Sequence, residues 1–200
     1  MDKTYFLKIV ENLEKINETQ SENIKKAASL MADAIEQDRL INVYGGGGHT
    51  TLCMGEMFFR AGGLANINPI AENGLTVFNQ ALKYLELERT VNYGSAIMKY
   101  YKLQPGDLLI VFHNIGINPA TIDAVMEAKK AGAKIVAISS SYWQNEHFCH
   151  YFVLLSFGKN RNIGGRAAMA RALGPIALRP VLSGGLPFSV FLSVIIDQIS

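Results

Sequence analysis

Residues 106–140 read "GDLLIVFHNIGINPATIDAVMEAKKAGAKIVAISS", and their periodicities decide the fold. A Pro105–Gly106 turn opens the stretch, and the apolar run from Leu108 to Phe112 follows it. A short, continuously apolar run bounded by a turn suits a strand buried on both faces. Asn118 then reads as an N-cap, Pro119 as the first helical residue and Gly132 as the helix terminator. "AKIVAIS" supplies the next strand. Strands alternating with helices, the strand runs apolar throughout, imply a parallel sheet covered on both faces.

Working outward, "LINVY" at 40–44 reads as another buried strand. It ends in four glycines, Gly45 to Gly48, and His49-Thr50-Thr51 then leads into a helix expected to reach about Ala61. "LANINPI" at 64–70 reads as a shorter strand, with Pro69 suited to a sheet edge or strand end. Two helical segments are expected around 75–87 and 93–102. Near the start, Phe6, Ile9, Leu13 and Ile16 repeat at helical spacing, Thr19-Gln-Ser-Glu22 has the form of a capping box, and Ile24, Ala28, Met31 and Ile35 mark a second stripe. The expected architecture is therefore an α/β fold: a doubly wound, mostly parallel sheet flanked by helices, preceded by two N-terminal helices.

Composition narrows the function classes. Of 200 residues, 49% are hydrophobic and 18% charged, which is globular rather than disordered. A net charge of +2 without an arginine stripe argues against nucleic acid. Cys53 and Cys149 form no disulfide framework, so a reducing, cytoplasmic compartment is expected. Asp2, Lys3 and Lys8 interrupt any signal-peptide core, and the apolar tail "LPFSVFLSVIIDQIS" is short for a bilayer span, so no membrane partner is expected.

Two loops leave strand ends with unusual residues. One is Gly45 to Thr51; the other is His113-Asn114-Ile115-Gly116-Ile117-Asn118. Both run into helix starts, where N–H groups and the positive end of the helix dipole favour an anion. Four glycines in a row lose much backbone freedom on folding, a cost that close backbone approach would justify. A dinucleotide fingerprint is a competing reading, with Glu72 near the ribose-binding position. Its third glycine is missing, however, because Thr50 or Thr51 stands there. A phosphate-binding lysine loop is excluded, since no Gly-Lys-Ser/Thr follows.

"GGGGHT" after a strand, followed by "GDLLIVFHNIGINPATIDAVMEAKKAGAKIVAISS", resembles the SIS (sugar isomerase) domain over roughly residues 1–145. "EMFFRAGG" and the later "ERT" with "YG" are most similar to an uncharacterised bacterial subgroup labelled as phosphoheptose or sugar isomerases. The resemblance implies a five-stranded, flavodoxin-like parallel sheet, a phosphorylated-sugar ligand and a homodimer or higher homo-oligomer. Two hundred residues suit one domain, so a single SIS-like domain over 1–200 is expected, compositionally atypical over 159–200, and no cofactor is expected. The family's usual Ser-x-Ser-Gly-x-Ser/Thr turn is altered, with Ile115 and Asn118 at hydroxyl positions and Pro119 lacking an amide hydrogen. Zinc-dependent phosphoheptose isomerases place a His and a Glu at positions that are Gly55 and Phe59 here. The resemblance therefore does not extend to that zinc chemistry.

The expected phosphate and sugar contacts are Gly46, Gly47, Gly48, His49 and Thr50 on the first loop, with Asn114, Gly116, Ile117 and Asn118 on the second. His49, Cys53, Glu56 and Arg60 step by four, three and four along one helix face. Glu56 is accordingly a candidate base beside His49 as a proton donor or hydroxyl contact. The competing reading is an ordinary Glu56–Arg60 pair next to a capping His. Glu88 is a second candidate base, by resemblance to SIS isomerases and lyases that use a glutamate for proton transfer. The alternative is a charged helix end completed by Arg89. Metal readings from His49, Cys53 and Glu56, or from His147, Cys149 and His150, have too little histidine in good spacing for a catalytic site, and no metal is expected. Tyr93, Tyr100 and Tyr101 read as packing and Asp123 as helix-start charge.

The last quarter changes composition. No carboxylate occurs between Glu146 and Asp197, and beyond Lys159 every cationic side chain is arginine. This is either a buried apolar closing segment of the same domain or a stretch departing from its ancestral sequence, even through a shifted reading frame. Function is accordingly read as a sugar-phosphate isomerase or related proton-transfer enzyme such as an amino-sugar lyase. The alternative is a non-catalytic sugar-phosphate sensor.

Overall fold

The computed structural model describes residues 3–113, 118–139 and, for the backbone, 151–154. Among the described residues five strands run β1 (Ile41–Gly45), β2 (Ile67–Ile70), β3 (Leu108–His113), β4 (Lys134–Ser139) and β5 (Tyr151–Leu154). They form one sheet in the order β2-β1-β3-β4-β5, and every neighbouring pair is parallel. The α-helices among the described residues are α1 (Lys3–Glu36), α2 (Thr50–Met57), α3 (Ala81–Arg89), α4 (Tyr93–Tyr101) and α5 (Pro119–Lys130). Pro69 sits in β2, the edge strand, where a missing ladder donor is tolerated.

Alternating residues of the central strands feed two cores, as a strand's period of two requires. Ile41, Val43, Leu108, Ile110, Phe112, Val136 and Ile138 face Ile24, Ala27 and Met31 of α1 and Met54 and Met57 of α2. Tyr44, Leu109, Val111, Ile135 and Ala137 face Ile97 and Met98 of α4 and Ala120, Ala124, Val125 and Ala128 of α5. The central strands are buried on both sides, so their unbroken apolar runs follow directly.

Several local expectations are corrected. The N-terminus forms one 34-residue helix instead of two. Thr19 and Ser21 donate their hydroxyls back to the carbonyls of Lys15 and Asn17, four residues earlier, so the polar cluster lies inside the helix and caps nothing. α2 stops at Met57, before Ala61, because Phe58 is extended and Phe59 adopts a left-handed φ of 55°. The helix expected from 75 begins only at Ala81; two single 3-10 turns, Asn73–Leu75 and Val77–Asn79, precede it. Gly132 follows the end of α5 at a φ of 80°, the left-handed conformation that glycine takes most cheaply.

Candidate functional site

The strand order sets where a ligand belongs. β1 hands over to α2 on one face, whereas β3 hands over to α5 on the other. The carboxyl ends of these adjacent strands therefore form the topological switch point of the sheet. The glycine loop follows β1 at this edge; of the asparagine loop, only His113, which ends β3, and Asn118, which precedes α5, are among the described residues.

The glycine loop is buried, and its packing explains its composition. A Cβ on Gly45 would strike the Thr50 carbonyl, and one on Gly46 would strike the Thr121 hydroxyl. One on Gly48 would lie 2.5 Å from Val77 Cγ1 and 2.7 Å from Tyr84 Cζ. None of the four has positive φ. Close approach, rather than a left-handed turn, demands glycine here.

Gly47 is different, because its neighbours are chemical. A Cβ there would lie 3.0 Å from Glu88 Oε2, 3.7 Å from His113 Nε2 and 3.7 Å from Thr50 Oγ1. A carboxylate, an imidazole and a hydroxyl thus surround one point at the end of β1. Each comes from a separate element: Glu88 from the last turn of α3, His113 from the end of β3 and Thr50 from the start of α2. Glu88 and His113 are 7% and 5% exposed, which makes their charge states matter.

Burial raises the Glu88 carboxyl above its ordinary value; Arg89, Asn118 and His49 pull in the opposite direction. Burial also pulls His113 down to about 4, so its imidazole is neutral at physiological pH. A carboxylate poised upward beside a neutral imidazole is an arrangement suited to proton transfer. Asn118 occupies the N-cap position of α5, yet its side chain makes no capping bond and instead serves the Glu88 carboxylate. Arg89 stands 3.9 Å from Glu88 on the solvent side.

The expected anion bed is narrower than the sequence implied. The Gly47 amide donates to Thr50 Oγ1, and the amides of Thr50 and Thr51 donate to the Gly47 carbonyl. Those hydrogens are spent inside the turn. Among the described residues, the amides of Gly48 and His49 donate to no protein acceptor. His49 is exposed at the start of α2. Asn114, Gly116 and Ile117 lie outside the described residues, as do His147, Cys149 and His150.

Glu56 is not brought to this point. It faces outward on α2 and pairs with Arg60 at 3.2 Å, the ordinary i, i+4 reading. Gly55 faces open space and Phe59 is 92% exposed, so neither position of the zinc pair contributes to the site. Tyr93 does more than pack, since its hydroxyl donates to Glu72 at 2.8 Å and ties the segment before α3 to α4. Asp123 accepts the Asn92 amide at the start of α4 rather than serving α5.

Sequence reasoning missed His113 as a candidate site residue, and it missed Thr121 and Tyr84 as the side chains that pack against Gly46 and Gly48. The signal was there for His113, a polar residue closing an otherwise apolar strand at its carboxyl end. The SIS domain profile matches residues 4–140. The chain belongs to the SIS domain family. Among curated relatives, this SIS chain is 36% identical over 149 residues to a UPF0309 protein of Thermoanaerobacter pseudethanolicus, covering 74% of this chain and 60% of that one. It is 34% identical over 136 residues to a UPF0309 protein of Geobacillus kaustophilus, covering 68% and 54%. The chain thus matches little more than half the length of these relatives. Solved structures of similar fold include a phosphoheptose isomerase from Francisella tularensis, with a TM-score of 0.62 at 13% identity, covering 98% of this chain and 94% of that one. Another is the sugar isomerase domain of an RpiR transcription factor from Sphaerobacter thermophilus, with a TM-score of 0.53 at 18% identity, covering 98% and 87%. At such identities the likeness concerns the fold alone. Among the described residues no helix is long and apolar enough to cross a membrane.

Proposed function

We propose that this SIS domain binds a phosphorylated sugar at the carboxyl ends of β1 and β3 and moves a proton on it. The observation that supports the reading most is the meeting of Glu88, His113 and Thr50 around Gly47 at the switch point. In the proposed reaction the sugar is open-chain. The Glu88 carboxylate takes a proton from the carbon beside the carbonyl, and the electron pair left behind forms the carbon–carbon double bond of an enediolate. The carbonyl oxygen, gaining charge, is held by the neutral His113 imidazole. The hydroxyl proton on the deprotonated carbon passes to the former carbonyl oxygen, and that carbon's oxygen becomes the new carbonyl. The double-bond pair takes the proton back from Glu88 onto the former carbonyl carbon, which completes an aldose–ketose exchange. The phosphoryl group rests near the Gly48 and His49 amides at the start of α2, where the helix dipole favours it.

The test is a panel of sugar phosphates, scored for thermal stabilisation and, by NMR, for turnover. The proposal expects at least one to do both, with Glu88→Gln abolishing turnover and retaining stabilisation. A sensor is the second reading, favoured by the loss of the hydroxyl turn at Ile115 and of the zinc pair at Gly55 and Phe59. It wins if a sugar phosphate stabilises the protein but none is converted. Pairing into a homo-oligomer is also proposed, since Tyr5, Phe6 and Leu7 of α1 are each more than half exposed. Light scattering on the purified chain decides it.

A further inference from the structure

Ser139 ends β4 and is 3% exposed. Among the described residues its Oγ is the one buried side-chain polar atom with no hydrogen-bond partner. A buried hydroxyl without a partner is costly and uncommon, and it calls for a physical account. Its place supplies one. Ser139 is the register partner of His113 across the parallel pair, so the two side chains leave the same face of the sheet on strands about 4.8 Å apart. Ile135 and Ala137, which precede Ser139 at the strand's period of two, face the α4–α5 side, as do Leu109 and Val111 before His113. Lower down, that face is sealed by Ala120, Ala124 and Val125. At its carboxyl end the apolar lining gives way to His113 and Ser139, side by side, with Glu88 and Gly47 next to the imidazole.

We infer that Ser139 is a ligand-contacting residue whose hydroxyl pairs with a hydroxyl of the bound sugar, one position along the carbon chain from the group held by His113. This rests on the sugar-phosphate reading above and deepens it. The ligand must then be a polyhydroxylated chain that reaches past His113 toward β4, and not a bare phosphate or a short two-carbon unit. A hydroxyl built into the floor selects strongly against analogues lacking its partner, because one polar group is then left buried and unpaired.

Ser139→Ala is the informative variant, read against wild type in two measurements. In the free protein the melting temperature is expected to stay the same or rise slightly, since no hydrogen bond is lost. A fall of several degrees without ligand would mark Ser139 as a structural bonder and overturn the proposal. With the sugar phosphate that stabilises wild type best, the variant is expected to bind roughly three- to tenfold more weakly. Among monodeoxy analogues of that sugar, one is expected to bind wild type and variant equally. Equal loss across all analogues, or no loss in the variant, overturns the role of Ser139 and leaves sugar-phosphate binding standing. If no sugar phosphate stabilises wild type, both readings fall together.

Discussion

The two ends of the sheet are built on opposite rules. At the amino end, polar groups satisfy one another. Asp107 accepts the Gln104 amide at 2.7 Å and stands 3.6 Å from Arg39, whose guanidinium also donates to the Pro105 carbonyl. The Lys134 and Gly106 amides are paired across the same turns. These groups are partly exposed, so their charges are cheap to keep. At the carboxyl end Glu88, His113 and Ser139 are buried, two with displaced proton affinities and one with no partner. An edge that only had to close the fold would resemble the first. These locally costly polar groups, gathered at one place, are what supports the proposed ligand site.

The largest effect separating the ends is expected from Glu88→Gln, which should lower turnover at least a hundredfold while leaving the fold intact. Glu56→Gln, its counterpart in the exposed pair with Arg60, should change turnover less than twofold. If the two swap, the active edge has been assigned to the wrong glutamate.

Next comes Gly46→Ala. Its methyl group would collide with the Thr121 hydroxyl, an overpacking cost of about 1–3 kcal/mol that should lower Tm by roughly 3–10 °C. Unchanged stability would mean that the β1 loop and α5 are not packed as described.

A pH titration sharpens the contrast. His113 has a folded affinity depressed to about 4, so the unfolded chain binds its proton first as pH falls. The neutral imidazole therefore contributes stability that is present above about 6.5 and is lost as pH drops toward 4. Glu88 acts with the opposite sign. Its raised folded pKa stabilises the fold below the ordinary carboxylate range, and that stability fades as pH rises through the folded value. His113→Asn should flatten the acid limb of a Tm-against-pH curve. Arg39→Ala, at the other end, should shift the whole curve by under about 1 kcal/mol and leave its shape alone.

The frame was legible because strands buried on both faces leave short, nearly unbroken apolar runs between turn residues. The largely apolar runs at 40–44, 108–112 and 135–138 are short and bounded by turn residues, which favours strands buried on both faces over helix. α1 was misread where Thr19 and Ser21 imitate a cap, since a hydroxyl's choice between a cap and a bond to the i−4 carbonyl is settled only by the helix around it. The glycine loop was legible as a place but only partly as a mechanism. Composition announced a tight loop, while the use of the Gly47 amide by Thr50 depends on the turn's three-dimensional course. Two candidate glutamates could not be ranked from spacing alone, because Glu88 reaches Gly47 through the packing of α3, not through proximity in the chain. Ser139 was invisible for the same reason: nothing in "AKIVAIS" shows that its last hydroxyl lacks a partner.

Amide chemical-shift mapping during a sugar-phosphate titration tests the central claim most directly. The account predicts that the largest shifts fall on Gly46 to His49, His113 and Ser139, with Arg39, Gln104 and Asp107 unmoved. Shifts concentrated at the amino end of the sheet, or none anywhere at millimolar sugar phosphate, would contradict it.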